Sequence, residues 1–127
     1  MAKITLTGNM FIQLAGESKP APLPLNLDLD YTEKSVVDYA WATNQTNITL
    51  NQGTVAAPRF IFVEVTEGVL NLSTSSAGTG AVQYAASATP SATTAPARGF
   101  LFTYNPSATQ YYASTVGPTK AKIWFFE

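Results

Sequence analysis

A chain of 127 residues is long enough for one hydrophobic core and too short for two, so a single domain over residues 1–127 is expected. Cysteine and histidine are both absent, which removes disulfide staples, zinc sites and thiol or Ser-His chemistry, and leaves only carboxylate, Tyr, Lys or Ser-Lys mechanisms. Charged residues make up 12% of the chain and the net charge is −1, against about 25% charged residues in a typical soluble domain; the surface is therefore mostly Thr, Ser, Asn, Gln and Ala, suits packing against neighbours, and offers nucleic acid no basic patch beyond Lys3, Lys120 and Lys122.

The N-terminal Met1-Ala-Lys-Ile-Thr-Leu-Thr7 alternates polar and apolar residues and lacks the apolar core of a signal peptide. No apolar run approaches the roughly 20 residues of a membrane helix. Synthesis and retention in a cytoplasm, without a membrane partner, are expected. Lys3 to Thr7 reads as a strand, Gly8-Asn9 as a turn and Met10 to Leu14 as a second strand; the pair forms a hairpin or one bent strand with a bulge at Gly8. Ala15 to Pro24, with Pro20, Pro22 and Pro24, reads as a loop or extended arm, because each proline removes a ladder donor. Leu25 to Tyr31 alternates strictly, Leu25, Leu27, Leu29 and Tyr31 opposing Asn26, Asp28 and Asp30.

Thr32-Glu33-Lys34 is a polar turn. Ser35 to Thr43 then resumes with Val37, Tyr39 and Trp41 on one face and Val36, Asp38, Ala40 and Ala42 on the other. Asn44 to Asn51 holds a shorter alternating piece with Ile48 and Leu50 inward. Arg59 to Thr66 is the densest run of aromatic and β-branched residues, apolar on both faces, and reads as a central strand. Glu67-Gly68 is a tight-turn signal leading into Val69 to Ser73, and Ala81 to Ala85 is a weaker strand centred on Val82 and Tyr84. Ser87 to Ala97 is low in complexity and has nothing large to bury, so it reads as an exposed loop.

Arg98 to Tyr104 is again a dense strand, Gln110 to Thr115 carries the pair Tyr111-Tyr112, Gly117-Pro118 signals a turn, and Thr119 to Glu127 sets Ala121, Ile123 and Phe125 against Lys120, Lys122, Trp124 and Phe126. Trp124 and Phe126 require cover from a loop or another subunit. No stretch keeps a helical period over three turns. Roughly eight to ten short strands separated by Gly, Pro and Asn turns describe an all-β fold with minimal helix, an antiparallel β-sandwich of jelly-roll or Greek-key type.

Candidate chemistry is sparse. Asp28 and Asp30 share a strand face with Glu33 and Asp38 nearby, a pattern that serves a solvated face, a calcium ion or a glycosidase pair. Tyr39, Trp41, Tyr84, Tyr104, Tyr111, Tyr112 and Trp124 suit either core and interface packing or a platform on which sugars stack. Adjacent strand residues point opposite ways, so one of Tyr111 and Tyr112 is expected at the surface or in an interface. Arg59 and Arg98 precede dense strands, and Glu64 sits within one, as material for an ion pair. The sequons at Asn44-Gln-Thr46, Asn47-Ile-Thr49 and Asn71-Leu-Ser73 fit a Thr- and Asn-rich β-protein better than glycosylation, given the absent signal. No catalytic residue, metal ligand or cofactor motif is identified.

The Met-Ala-Lys start, the Thr/Ala/Ser-rich loops, the paired segment Arg59-Phe-Ile-Phe-Val-Glu-Val-Thr-Glu-Gly-Val-Leu-Asn-Leu and the terminal Lys122-Ile-Trp-Phe-Phe together resemble the small all-β virion proteins of tailed bacteriophages, the capsid decoration or cement type. That resemblance implies a non-enzymatic structural protein of the virion, made in the host cytoplasm and forming a homo-oligomer, a trimer, that binds the major capsid protein or another virion protein between capsomers. Interface residues are then expected at Trp124, Phe126, one of Tyr111 and Tyr112, and the loops carrying Pro20, Pro22, Pro24 and Ser87 to Ala97. A carbohydrate- or receptor-binding β-sandwich at a tail or fibre tip is the alternative.

Overall fold

The computed structural model of the chain describes residues 2–12, 15, 16, 18–86 and 99–127, and for residues 10, 12 and 99–104 the backbone alone. The described residues contain strands and no helix, so none is long and apolar enough to cross a membrane as a helix. Eight strands run in order β1 (Ala2–Ile12), β2 (Ala21–Tyr31), β3 (Lys34–Trp41), β4 (Gln45–Thr49), β5 (Phe60–Ser73), β6 (Val82–Ala85), β7 (Gly99–Tyr104) and β8 (Tyr112–Phe126). They form an antiparallel two-stranded sheet and an antiparallel six-stranded sheet, in two compact units, Met1–Thr32 and Glu33–Glu127.

The first unit is a long ribbon. β1 and β2 pair over their whole length, from Ala2 opposite Tyr31 to Ile12 opposite Ala21. Of the two readings of Gly8-Asn9 the single strand holds and the hairpin does not: β1 runs through it in unbroken register, without the bulge, and its partner is β2. The proline segment is not wholly a loop, since Pro22 and Pro24 lie within β2 opposite Phe11 and Asn9. In a two-stranded ribbon alternate residues aim their N–H groups away from the partner, and prolines two residues apart fall in that one parity without breaking the ladder. Of the expected second strand, Met10 to Leu14, the residues Met10 to Ile12 belong to β1, and Gln13 and Leu14 lie outside the described residues.

The second unit is built on β5 and β8, of 14 and 15 residues. They pair from Phe60 opposite Phe126 to Ser73 opposite Tyr112. β8 takes β3 and β4 along its other edge, and β5 takes β7 and β6 along its own. Two expected hairpin turns thus do not exist: both strands continue through Glu67-Gly68 and Gly117-Pro118. Val69 pairs with Val116 and Glu67 with Lys120, so the two signals lie side by side as a bulge shared by neighbouring strands. A Gly at positive φ serves a bulge as well as a turn, and the proline sits where the ladder is already interrupted. Thr119, 1% exposed, closes the gap with its one hydroxyl proton shared between the carbonyls of Val69 and Gly117, each 3.3 Å from Oγ1.

Alternation along these strands makes the core. Ile61, Val63 and Val65 of β5 meet Phe125, Ile123 and Ala121 of β8, and all six are at most 5% exposed. Val37, Tyr39 and Trp41 of β3 pack against this cluster, as their period predicts. Leu50, Val55, Ala108 and Tyr111, from the connecting segments, join the same cluster. Those segments are joined by hydrogen bonds that mimic a ladder. Leu50 N–H donates to the Tyr111 carbonyl at 3.0 Å, and the buried Gln52 accepts from Tyr111 N–H at 2.7 Å while donating to the Thr109 carbonyl at 3.3 Å. A buried polar side chain is tolerated here because its donor and its acceptor are both used. The Ser87 to Ala97 segment lies outside the described residues.

Gly68 has φ +77°, and a Cβ there would lie 2.2 Å from the Pro118 carbonyl oxygen and 2.5 Å from Thr119 Oγ1. Gly68→Ala is expected to destabilise the protein by about 2–4 kcal/mol, through left-handed strain and backbone overlap, and to lower the thermal unfolding midpoint. An unchanged midpoint would show that the bulge is free to reorganise.

Candidate functional site

The ribbon separates its residues by chemistry more sharply than any other part of the molecule. Register and period place Ile4, Leu6 and Gly8 of β1 on one face with Leu29, Leu27 and Leu25 of β2, flanked by Ala2 opposite Tyr31 and by Met10 and Ile12 in register with Leu23 and Ala21. The other face carries Lys3, Thr5, Thr7, Asn9 and Phe11 against Asp30, Asp28, Asn26, Pro24 and Pro22. Asp28 accepts from Thr5 Oγ1 at 2.8 Å, and Asp30 lies 4.0 Å from Lys3 Nζ. The carboxylates are thus engaged by their direct cross-strand neighbours on a solvated face. No group of three or more acidic residues among the described residues is arranged to hold a metal ion.

Among the described residues of its own unit, no further strand covers the apolar face. Leu23 and Leu25 are 44% and 40% exposed, and Leu25 stands opposite Gly8, which offers no side chain to pack against. An isolated two-stranded ribbon is marginally stable in water, and a leucine-rich face is stabilised only where something lies on it.

The six-stranded sheet turns a different surface outward. One row across β3, β8 and β5 reads Asp38, Lys122, Glu64, and the next row contains Val36, Trp124 and Phe62. Lys122 Nζ is 3.8 Å from Asp38 and 5.8 Å from the centre of the Trp124 ring, and Lys120 pairs with Glu67 at 3.1 Å. A shallow groove of about 510 Å³ runs over Asp38, Ala40, Glu64, Thr66, Lys120 and Lys122. Opposite charges set across strands fix register and contribute roughly 0.2–1 kcal/mol per pair.

The residues singled out for an interface fall in different places. Trp124 is half-buried with Phe62 edge-on to it at 5.0 Å, and Phe126 is 6% exposed, so much of the cover they require comes from their own chain. Tyr111 is buried and Tyr112 half-buried, which makes Tyr112 the outer member of the pair. Pro20, Pro22 and Pro24 are exposed on or beside β2. Tyr39 and Trp41 stack at 5.1 Å and 8°, and the Tyr39 hydroxyl donates to the Asn51 carbonyl. Asn44, Asn47 and Asn71 each use the side-chain oxygen as an acceptor, from Gly117 N–H, Ser114 Oγ and Gln83 Nε2 respectively. The sequence drew no attention to the ribbon as a unit, because the pairing of β1 with β2 joins segments about twenty residues apart; the alternation of Leu25 to Tyr31 was the available signal.

Tyr111 carries the one buried side-chain polar atom left without a partner among the described residues, its hydroxyl, beside a cavity of about 90 Å³ lined also by Leu72, Ser73, Val82 and Tyr84. Burial, with Tyr84 close by, pushes the Tyr111 phenol up to about 12. Compared with models of protein families, with curated proteins and with solved structures, the chain matches none.

Because its hydroxyl is desolvated without a partner among the described residues, Tyr111→Phe is expected to keep or raise stability, by up to about 1 kcal/mol, in thermal unfolding. The raised phenol stabilises the folded state fully below pH 10, and that contribution is lost as pH rises towards about 12. The fall in stability over this window should therefore be shallower in Tyr111→Phe. A steeper fall would contradict the assignment.

Proposed function

We propose that the protein is a non-enzymatic structural subunit that works by assembly, and that the apolar face of the β1–β2 ribbon is the surface through which copies associate. The single observation behind this reading is that ribbon: leucine after leucine on one side, Thr5, Asp28, Asp30 and Lys3 on the other, and no further strand among the described residues of its unit. Removing the residual exposure of Leu23 and Leu25 is worth about 1 kcal/mol each, and the face is repeated on every copy. Three ribbons around an axis would bury three such faces, in keeping with the trimer suggested by the resemblance to phage virion proteins. The jelly-roll or Greek-key sandwich suggested by the sequence would then be completed between copies, sheet face on sheet face.

In that reading the protein decorates a phage head, joining neighbouring capsomers and stabilising the shell by binding the assembled state alone. The low charge supports it, since long-range repulsion between copies is weak. Carbohydrate binding has less support: the Tyr39 and Trp41 rings stack on one another, and Trp124 is engaged by Phe62 and Lys122, which occupies ring surface that a sugar would use.

Light scattering on a size-exclusion column tests the reading. The parent chain is expected to run as an oligomer, and Leu25→Ser with Leu27→Ser to run as a folded monomer with the same β-type circular dichroism. A monomeric parent at high concentration, or a double variant of unchanged mass, would overturn it.

A further inference from the structure

Strand edges are the other surface on which a β-protein meets a copy of itself, and here they are unequally protected. The β2 strand carries Pro22 and Pro24, β6 has four residues, and β4 is interrupted by a register shift between Gln45 and Ile48. Prolines, shortness and bulges all discourage strand addition. β3 has none of these, a condition it shares with β1 and β7, and it is set apart by its charge pattern. Its eight residues, Lys-Ser-Val-Val-Asp-Tyr-Ala-Trp, pair with β8 in unbroken register, and no described strand takes its other edge. Val36, outward in the middle of its first half, is 45% exposed. Lys34 has no carboxylate partner among the described residues, and the Asp38 side chain is 78% exposed although Lys122 lies nearby.

We propose that β3 is an isologous pairing edge, which takes β3 of a second copy antiparallel in the register that sets Val36 opposite Val36. In an antiparallel pair directly opposed residues share a face, so the register must superpose outward residues on outward residues. With Val36 on the two-fold axis, Lys34 of each copy faces Asp38 of the other, giving two opposite-charge pairs around a central pair of valines. Placing Lys34 or Asp38 on the axis sets like charges opposite each other. Placing Val37 there leaves Lys34 opposite Ala40. The charge pattern therefore selects one register, and the partner it fits is a second copy of this chain. The six strands of one body continue into the six of the next.

Absence of native cysteine makes the contact directly readable. Directly opposed residues of an antiparallel pair have Cα atoms about 4.5–5.5 Å apart, within the span of a disulfide. Val36→Cys is expected to form a covalent dimer on mild oxidation, whereas Ala40→Cys, whose two copies would lie about 26 Å apart in this register, is not. Lys34→Glu and Asp38→Lys should each weaken self-association roughly tenfold or more, the scale of two cross-strand charge pairs turned repulsive. Mixed together, these two variants restore both pairs as a heterodimer, scored by native mass spectrometry of the equimolar mixture. Equal cross-linking at 36 and 40, no cross-link at 36, or a mixture that associates no better than its components would overturn the proposal. The cross-link is read independently of the ribbon, whose own test is the mass of the leucine variants, so one reading can fail while the other stands.

Discussion

Everything in the larger unit depends on the pairing of β5 with β8. Two strands of 14 and 15 residues run antiparallel over their full length, and each of the other four strands is attached to one of them; of the four, β6 alone pairs with the strand that precedes it in the sequence. The pairing is strong at one end because Ile61, Val63 and Val65 lock into Phe125, Ile123 and Ala121. It survives its own interruption because the irregularities of the two strands coincide. Gly68 supplies the backbone conformation and Thr119 the hydrogen bonds, and strand direction is recovered on the far side with Leu70 and Leu72 inward again. Had the two irregularities fallen at different heights, each would have disrupted an intact partner ladder.

With that pair in place, the connecting segments behave as part of the core. Leu50, Val55, Ala108 and Tyr111 pack on the sheet, and Gln52, Gln110 and Thr115 substitute side-chain hydrogen bonds for backbone ones. A chain with so few charges meets its buried polar demands with amides and hydroxyls, which can be satisfied one bond at a time. The ionic groups are kept for the outward face, where Asp38, Lys122, Glu64, Lys120 and Glu67 form short cross-strand arrays.

The ribbon and the β3 edge are where this economy stops. One is a face with apolar area and no cover in its unit; the other is a backbone edge with donors and acceptors and no described strand. These deficits differ in kind, one hydrophobic and one hydrogen-bonding, and copies of the same chain can satisfy both. Contacts of two kinds on one subunit extend an association beyond a closed pair, as the proposed assembly role requires.

Period-two alternation fixed the faces of most strands from the sequence alone: Val37, Tyr39 and Trp41 inward, Asp28 and Asp30 in solvent, Ile123 and Phe125 in the core, and Arg59 to Thr66 as a central strand. Composition alone removed thiol, histidine and zinc chemistry. Partner choice was decided only by the tertiary structure. Gly8-Asn9, Glu67-Gly68 and Gly117-Pro118 carry the same local signal whether the chain reverses or bulges, and the outcome depends on a strand that lies tens of residues away. For the same reason the leucines of the ribbon were legible as a face but not as one without a further described strand on it, and Lys34 and Asp38 as surface charges but not as neighbours along an edge that no described strand takes. Periodicity records which way a side chain points; only the fold determines whether anything is there to meet it.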